Sequence, residues 1–182
     1  VIFESPLSSS TKYTIAVANI ADNRGHNTRA QTSFTTEAQQ VVYLSRDEQG
    51  TVDIIRRKTI GDSETTELYR GNKIGDFAVA NRKILLVIED TETQQFNTAL
   101  YQIKGTTKTA VEPPKGIAIG VSGATDKDHF LVRTRDQSTL QYHLFLYSAE
   151  TSTFTELIKE NGDPIHASHA SFAADSSTIV YT

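Results

Sequence analysis

VVYLSRD (residues 41–47), ILLVIED (84–90) and FLVRTRD (130–136) are three short apolar runs that each close on an aspartate. Asp47, Asp90 and Asp136 stand 43 and then 46 residues apart. Short runs rich in Val, Ile, Leu and aromatic residues, bounded by polar clusters, read as β-strands. A second apolar position follows each run at nearly the same interval: Ile54, Leu100 and Leu144, spaced 46 and 44. Farther out, FAVANRKI (77–84) and FAADSSTI (172–179) share Phe-Ala, a polar turn and an Ile seven positions after the Phe. Phe77 and Phe172 are 95 residues apart, two periods, and the copy between them, VSGATDKDHF (121–130), has a longer turn.

A period of about 45 residues with four short strands per unit is the signature of a β-propeller blade. The rest of the chain agrees. YTIAVANI (13–20), HLFLY (143–147) and TIVYT (178–182) are further strand-like runs, and Thr (24 residues) and Ser (15) are abundant. No window shows apolar residues at i, i+3, i+4 and i+7, so helix signals are almost missing. The expected class is all-β. At 182 residues, with 22% charged and 37% hydrophobic residues, the chain holds one large domain or two small ones with a real core. This composition excludes collagen, a disulfide miniprotein and a disordered tail. TTEAQQ (35–40) has no apolar anchor other than Ala38 and reads as a linker. The division it predicts is 1–36 and 37–182.

FAADSSTIVYT (172–182) resembles the Phe-Ser-Pro-Asp-Gly-Lys-x-Ile-Ala-Tyr motif of TolB-type, WD-repeat-like propellers, with Phe172, Asp175, Ile179 and Tyr181 in matching places and Ala174 and Ser176 where Pro and Gly are usual. HLFLYSAETSTFTELI (143–158) is similar to the next segment of that repeat, a strand, a hairpin and a second strand. Weaker copies lie at 98–111 and 51–68, so the resemblance covers residues 41–182 and implies about three blade units. Residues 1–36 resemble the last strands of a bacterial immunoglobulin-like domain, through Pro6, Leu7, Tyr13, Ile15, Val17, Asp22, Gly25, Phe34 and Thr36. Tyr13, Ile15 and Val17 alternate, so they share one face of a strand. The whole expectation is a partial β-propeller preceded by the end of an immunoglobulin-like β-sandwich. A sandwich needs about 100 residues and propellers usually have four to eight blades. The apolar ends and these shortfalls predict a fragment of a larger modular protein, or a fold completed by other segments or copies.

Net charge is −4 and the pI ≈ 5.7, with Lys and Arg spread along the chain. No basic stripe offers itself to nucleic acid. The absence of Cys excludes disulfides, zinc thiolates and cysteine nucleophiles. No apolar run approaches the roughly 18 residues of a membrane-spanning helix. The N-terminal VIFESPLSSS lacks the pattern of a signal peptide.

Several clusters invite a chemical reading. His166 and His169 in PIHASHASF raise metal binding, but i and i+3 in an extended segment point to opposite faces, and local hydrogen bonding is the plainer reading. Asp126 and Asp128 form an Asp-x-Asp that suits calcium only with several more oxygens; a solvated turn is expected. Asp22, Asn23 and Asn27 pose the same question at the tip of the N-terminal segment. GIAIGVSG (116–123) has three glycines but lacks the Lys-Ser/Thr of a P-loop, and reads as a blade-to-blade strand with flexible backbone. Arg56, Arg57 and Lys58 read as a solvated edge that blocks strand addition, with an anionic glycan contact as the alternative. There is no Gly-x-Ser-x-Gly elbow, so no catalytic residue, metal ligand or cofactor is assigned.

The expected function is a non-catalytic binding or scaffold module of an extracellular or cell-envelope protein, meeting a protein, peptide or glycan through propeller loops. The resemblance also allows the propeller portion of a prolyl-oligopeptidase-type serine peptidase whose catalytic domain lies elsewhere. A structural subunit of a surface layer or filament is the third reading.

Overall fold

The computed structural model describes residues 10–21, 27–36, 38–81, 83–90, 97–124, 127–173 and 177–182. The strands in chain order are β1 (Lys12–Ala21), β2 (Asn27–Thr35), β3 (Gln40–Arg46), β4 (Asp53–Thr59), β5 (Thr65–Gly71), β6 (Ile74–Ala80), β7 (Lys83–Asp90) and β8 (Asn97–Lys104). They continue as β9 (Thr107–Val111), β10 (Ile117–Gly123), β11 (His129–Arg135), β12 (Tyr142–Ser148), β13 (Thr153–Glu156), β14 (Ala170–Phe172) and β15 (Ile179–Tyr181). Among the described residues there is no helix. The sheet orders are β1-β2, β3-β4-β5, β6-β7-β8-β9, β10-β11-β12-β13 and β14-β15. Each is a meander of sequence neighbours, the arrangement of successive propeller blades.

The chain forms two compact units, one of Val1–Tyr43 with Arg56–Thr66 and one of Leu44–Ile55 with Glu67–Thr182. In the first, β1 and β2 make an antiparallel hairpin that pairs Tyr13 with Phe34, whose rings stack with centroids 5.8 Å apart. The Thr36 amide donates to the Thr11 carbonyl at 3.1 Å, and the Thr11 amide donates to Thr36 Oγ1 at 2.9 Å, closing the open end of the hairpin. Pro6, Leu7, Asp22, Asn23 and Gly25 lie outside the described residues.

The three apolar runs fall on β3, β7 and β11; β7 and β11 lie in the second unit, each the second strand of its sheet, whereas β3 spans the division at Tyr43 and is the first strand of its sheet. On β7 and β11 the apolar positions are consecutive because both faces of the strand are buried; on β3 Val41 and Leu44 stay exposed. Leu85 and Val87 of β7 join Phe130, Val132, Phe145 and Tyr147 in a core between the β6–β9 and β10–β13 sheets. Leu131 and Leu144, next in sequence to members of that core, face the other way into a second core. There they meet Ile165, Ala167, Phe172 and Ile179. A strand covered on one side only would alternate apolar and polar residues.

Position in the blade separates Phe77, Phe130, Phe145 and Phe172. Phe130 and Phe145 are 0% and 1% exposed. Phe77 and Phe172 are half-buried. They lie on β6 and β14, the first strand of their sheets, and Phe172 packs at the margin of the second core.

Backbone approach explains the glycines of GIAIGVSG. A Cβ on Gly123 would be driven into the Val79 carbonyl of β6, and one on Gly120 would occupy the place of the Arg133 guanidinium. The expectation of a flexible segment is therefore replaced by one of close fit. Arg56, Arg57 and Lys58 also change role. They lie on β4, the middle strand of its sheet, so they cannot guard an edge.

Candidate functional site

Two polar features stand out on the β10–β13 sheet. The first surrounds the start of β12. The Glu156 carboxylate on β13 receives His143 Nδ1 at 2.9 Å on one oxygen and Lys115 Nζ at 3.1 Å on the other. A carboxylate only accepts, so Nδ1 carries the proton. Burial raises the Glu156 pKa, but the hydrogen bonds from Lys115 and His143 outweigh it and hold the group below its ordinary value. His143 is buried, and the exposed His166 ring meets it edge-on with centroids 5.8 Å apart. His166 Nδ1 donates to the Tyr142 carbonyl at 2.5 Å, and the Arg135 guanidinium lies over the Tyr142 ring at 5.9 Å. A carboxylate paired with a cation and held ionised is a weak base at neutral pH. The arrangement orients an exposed imidazole and an exposed guanidinium on a fixed frame.

The second feature is a cleft of ≈ 330 Å³ between the outer strands of the β6–β9 and β10–β13 sheets. One wall is Gln102, Thr109, Ala110, Val111 and Glu112; the other is Tyr147, Ser152 and Phe154. Tyr147 Oη donates to Gln102 Oε1 at 2.7 Å across the base, and the Tyr147 and Phe154 rings lie 4.7 Å apart. Small side chains on β9 leave the space open. Sequence reasoning missed this cleft, because its walls come from strands about 40 residues apart and no local motif marks it.

The residues singled out in sequence fall elsewhere. His166 and His169 share the segment before β14 but use their Nδ1 atoms on the Tyr142 carbonyl and on Ser168 Oγ, the latter at 3.1 Å. Among the described residues no three His, Asp or Glu side chains are grouped to hold a metal ion. Asp126 lies outside the described residues. Asp128 is no solvated turn residue: its Oδ2 pairs with Lys83 Nζ at 2.8 Å, and both side chains are largely buried. That pair ties the β6–β9 sheet to the next. Asn27 begins β2. Gly116, Gly120 and Gly123 cradle no ligand-shaped loop, since the space beside each is filled by protein atoms, of Arg135, Arg133 and Val79 respectively.

Asp47 and Asp136, the acids of the repeat, organise turns. Asp47 Oδ1 accepts from the Thr51 and Val52 amides at 2.7 and 3.1 Å. Asp136 Oδ1 accepts from the Ser138 hydroxyl at 2.6 Å and from the Ser138 and Thr139 amides at 2.8 and 2.9 Å. The Val52 amide chiefly lowers the Asp47 pKa. The Ser138 hydroxyl, with the Thr139 and Ser138 amides, brings Asp136 down to about 2.

No family model matches the chain, and no curated protein matches it. Among solved structures the chain is similar to TolB from Acinetobacter baumannii, with a TM-score of 0.53 and 12% identity over 92% of this chain and 46% of that one. U3-55K follows with a TM-score of 0.42 and 12% identity, covering 92% of this chain and 54% of that one. The RRP9 WD40 repeats give 0.42 and 11%, covering 92% and 53%. The chain thus spans about half the length of the solved proteins it matches. At this identity the TolB likeness bears on fold alone, and it agrees with an all-β, propeller-like architecture. Among the described residues no helix is long and apolar enough to cross a membrane.

Proposed function

We propose that the chain is a non-catalytic binding or scaffold module of a modular extracellular or cell-envelope protein. Residues 1–36 act as immunoglobulin-like spacer strands and residues 37–182 as the binding platform. The observation that carries this reading is the patch at the start of β12. There His166 and Arg135 are presented to solvent from a frame fixed by the Lys115–Glu156–His143 chain. Stacked blades supply a rigid base, and loops on such a base hold recognition groups with little ordering cost. The partner is a protein, peptide or glycan that offers hydrogen-bond acceptors or carboxylates to Arg135 and His166.

The test is chemical cross-linking of the purified chain to a cell-envelope extract, followed by direct titration of each captured partner. The double variant Arg135→Ala/His166→Ala is expected to lose binding while its melting temperature stays within a few degrees of wild type. Unchanged affinity in that variant, or turnover of an ester or peptide probe by the pure chain, overturns the proposal.

A further inference from the structure

Among the described residues no strand pairs with the outer edge of β9. β9 is the last strand of its sheet in the order β6-β7-β8-β9. It leaves β8 through a two-residue turn, Gly105-Thr106, with Gly105 at φ +58° and Lys104 paired with Thr107. In such a hairpin the pair flanking the turn exchanges both backbone hydrogen bonds, and the ladder alternates from there. Thr107, Thr109 and Val111 therefore bond to β8, while Lys108 and Ala110 aim their N–H and C=O groups outward.

Edge strands are commonly protected by a projecting lysine. Here the lysine is folded back. Lys108 Nζ lies 4.0 Å from the Tyr101 ring centroid and 3.1 Å from Tyr69 Oη. Its charge is drawn to the aromatic rings on the face away from Gln102, because Lys108 pairs with Ile103 and Thr109 with Gln102.

Beside this edge, on the Gln102 face, lies the ≈ 330 Å³ cleft. That volume is at the lower end for small-molecule sites and suits one long side chain. Among the described residues Glu112 is the one charged residue in its lining, and the Phe154 ring forms part of the opposite wall. Long basic side chains combine an apolar stem with a cationic head, which matches a ring wall with a carboxylate beside it.

We propose that β9 accepts an extended peptide as an added strand, and that the cleft takes a Lys or Arg side chain of that peptide. The backbone groups of Lys108 and Ala110 supply the pairing, the Phe154 ring the wall for the stem, and Glu112 the counter-charge. Main-chain bonds then give affinity and the pocket gives sequence preference. This inference rests on the reading of the chain as a binding module but uses a surface distinct from the Arg135–His166 patch, so the two fail separately.

The probe is the fluorescein-labelled peptide Thr-Val-Thr-Arg-Thr-Val-Thr, titrated with the full chain by fluorescence anisotropy. Saturable binding is expected. Ala110→Pro removes an outward N–H without touching the β8 ladder, and Glu112→Lys reverses the counter-charge. Each is expected to weaken binding about tenfold or more with an unchanged melting curve. Replacing the probe's Arg by Glu should do the same, and the Arg135→Ala/His166→Ala variant should bind like wild type. No saturable binding by the folded wild-type chain overturns the proposal, as does full affinity in the folded Ala110→Pro variant. Full affinity in Glu112→Lys together with indifference to the Arg-to-Glu probe overturns the basic side-chain pocket, and remains decisive if Ala110→Pro does not fold.

Discussion

Asp136 ends an apolar run in the sequence and nucleates a turn in the structure, where its carboxylate accepts from Ser138 and Thr139. Its folded-state pKa of about 2 lies below the ordinary value near 3.9, so the ionised form favours the fold. Its contribution is complete above about pH 4 and fades as pH falls through about 2. The expected outcome is a gap in urea midpoint between wild type and Asp136→Ala that is present at pH 7 and closes toward pH 2. A pH-independent gap would show that the carboxylate charge plays no part. Gly123 illustrates the opposite kind of residue, one whose role is set by a distant neighbour. Gly123→Ala pushes a Cβ into the Val79 carbonyl and is expected to cost about 1–3 kcal/mol, in the range of other overpacking changes. Gly120→Ala meets only the movable end of Arg133 and should cost less. Denaturant midpoints of the two variants decide this. The acid motif was visible in the sequence because a turn is local, whereas the glycine contacts were not, because β6 and β10 meet only in space.

At the scale of the strand, burial on both faces accounts for the uninterrupted runs of β7 and β11. β12 reads HLFLY for the same reason: Phe145 and Tyr147 face one core and Leu144 and Leu146 the other. Phe145→Ala removes a 1% exposed ring and is expected to cost about 3–5 kcal/mol. Phe172→Ala removes a half-buried ring at the margin of the second core and should cost clearly less. Equal losses in equilibrium denaturation would refute this ordering. Sequence echoes placed Phe77 and Phe172 in equivalent strands, which holds. They could not grade burial, since depth depends on what stands opposite each ring. The Arg56–Lys58 segment shows the same limit: its polarity suggested an edge, but sheet order made β4 a middle strand.

At the scale of the molecule, neighbouring sheets are joined by apolar cores and by a repeated set of polar ties. The Ile74 amide donates to Asp53 Oδ2 at 2.9 Å, and Thr98 Oγ1 donates to the Ala118 carbonyl. The first tie runs from the start of β4 and the second from the start of β8, each to the first strand of the next sheet. The Val121 amide donates to Asp76 Oδ2 at 2.9 Å, joining two first strands. Asp76→Ala leaves that amide without its acceptor, and a loss of about 1–3 kcal/mol is expected. Amide exchange should be slowest in β7, β11 and β12, which are covered on both faces, and faster in β15, where Val180 and Tyr181 are 56% and 46% exposed. Exchange followed by mass spectrometry checks the order; faster exchange in β11 than in β15 would contradict it. The sequence by itself determined the strand content, the period and the turns, because these depend on side-chain type and on neighbours a few residues away. Only the tertiary structure decided which strands lie at edges, which acids form ion pairs and where a cleft opens. Each of those is a relation between segments tens of residues apart, and chain composition carries no record of which surfaces come to face one another.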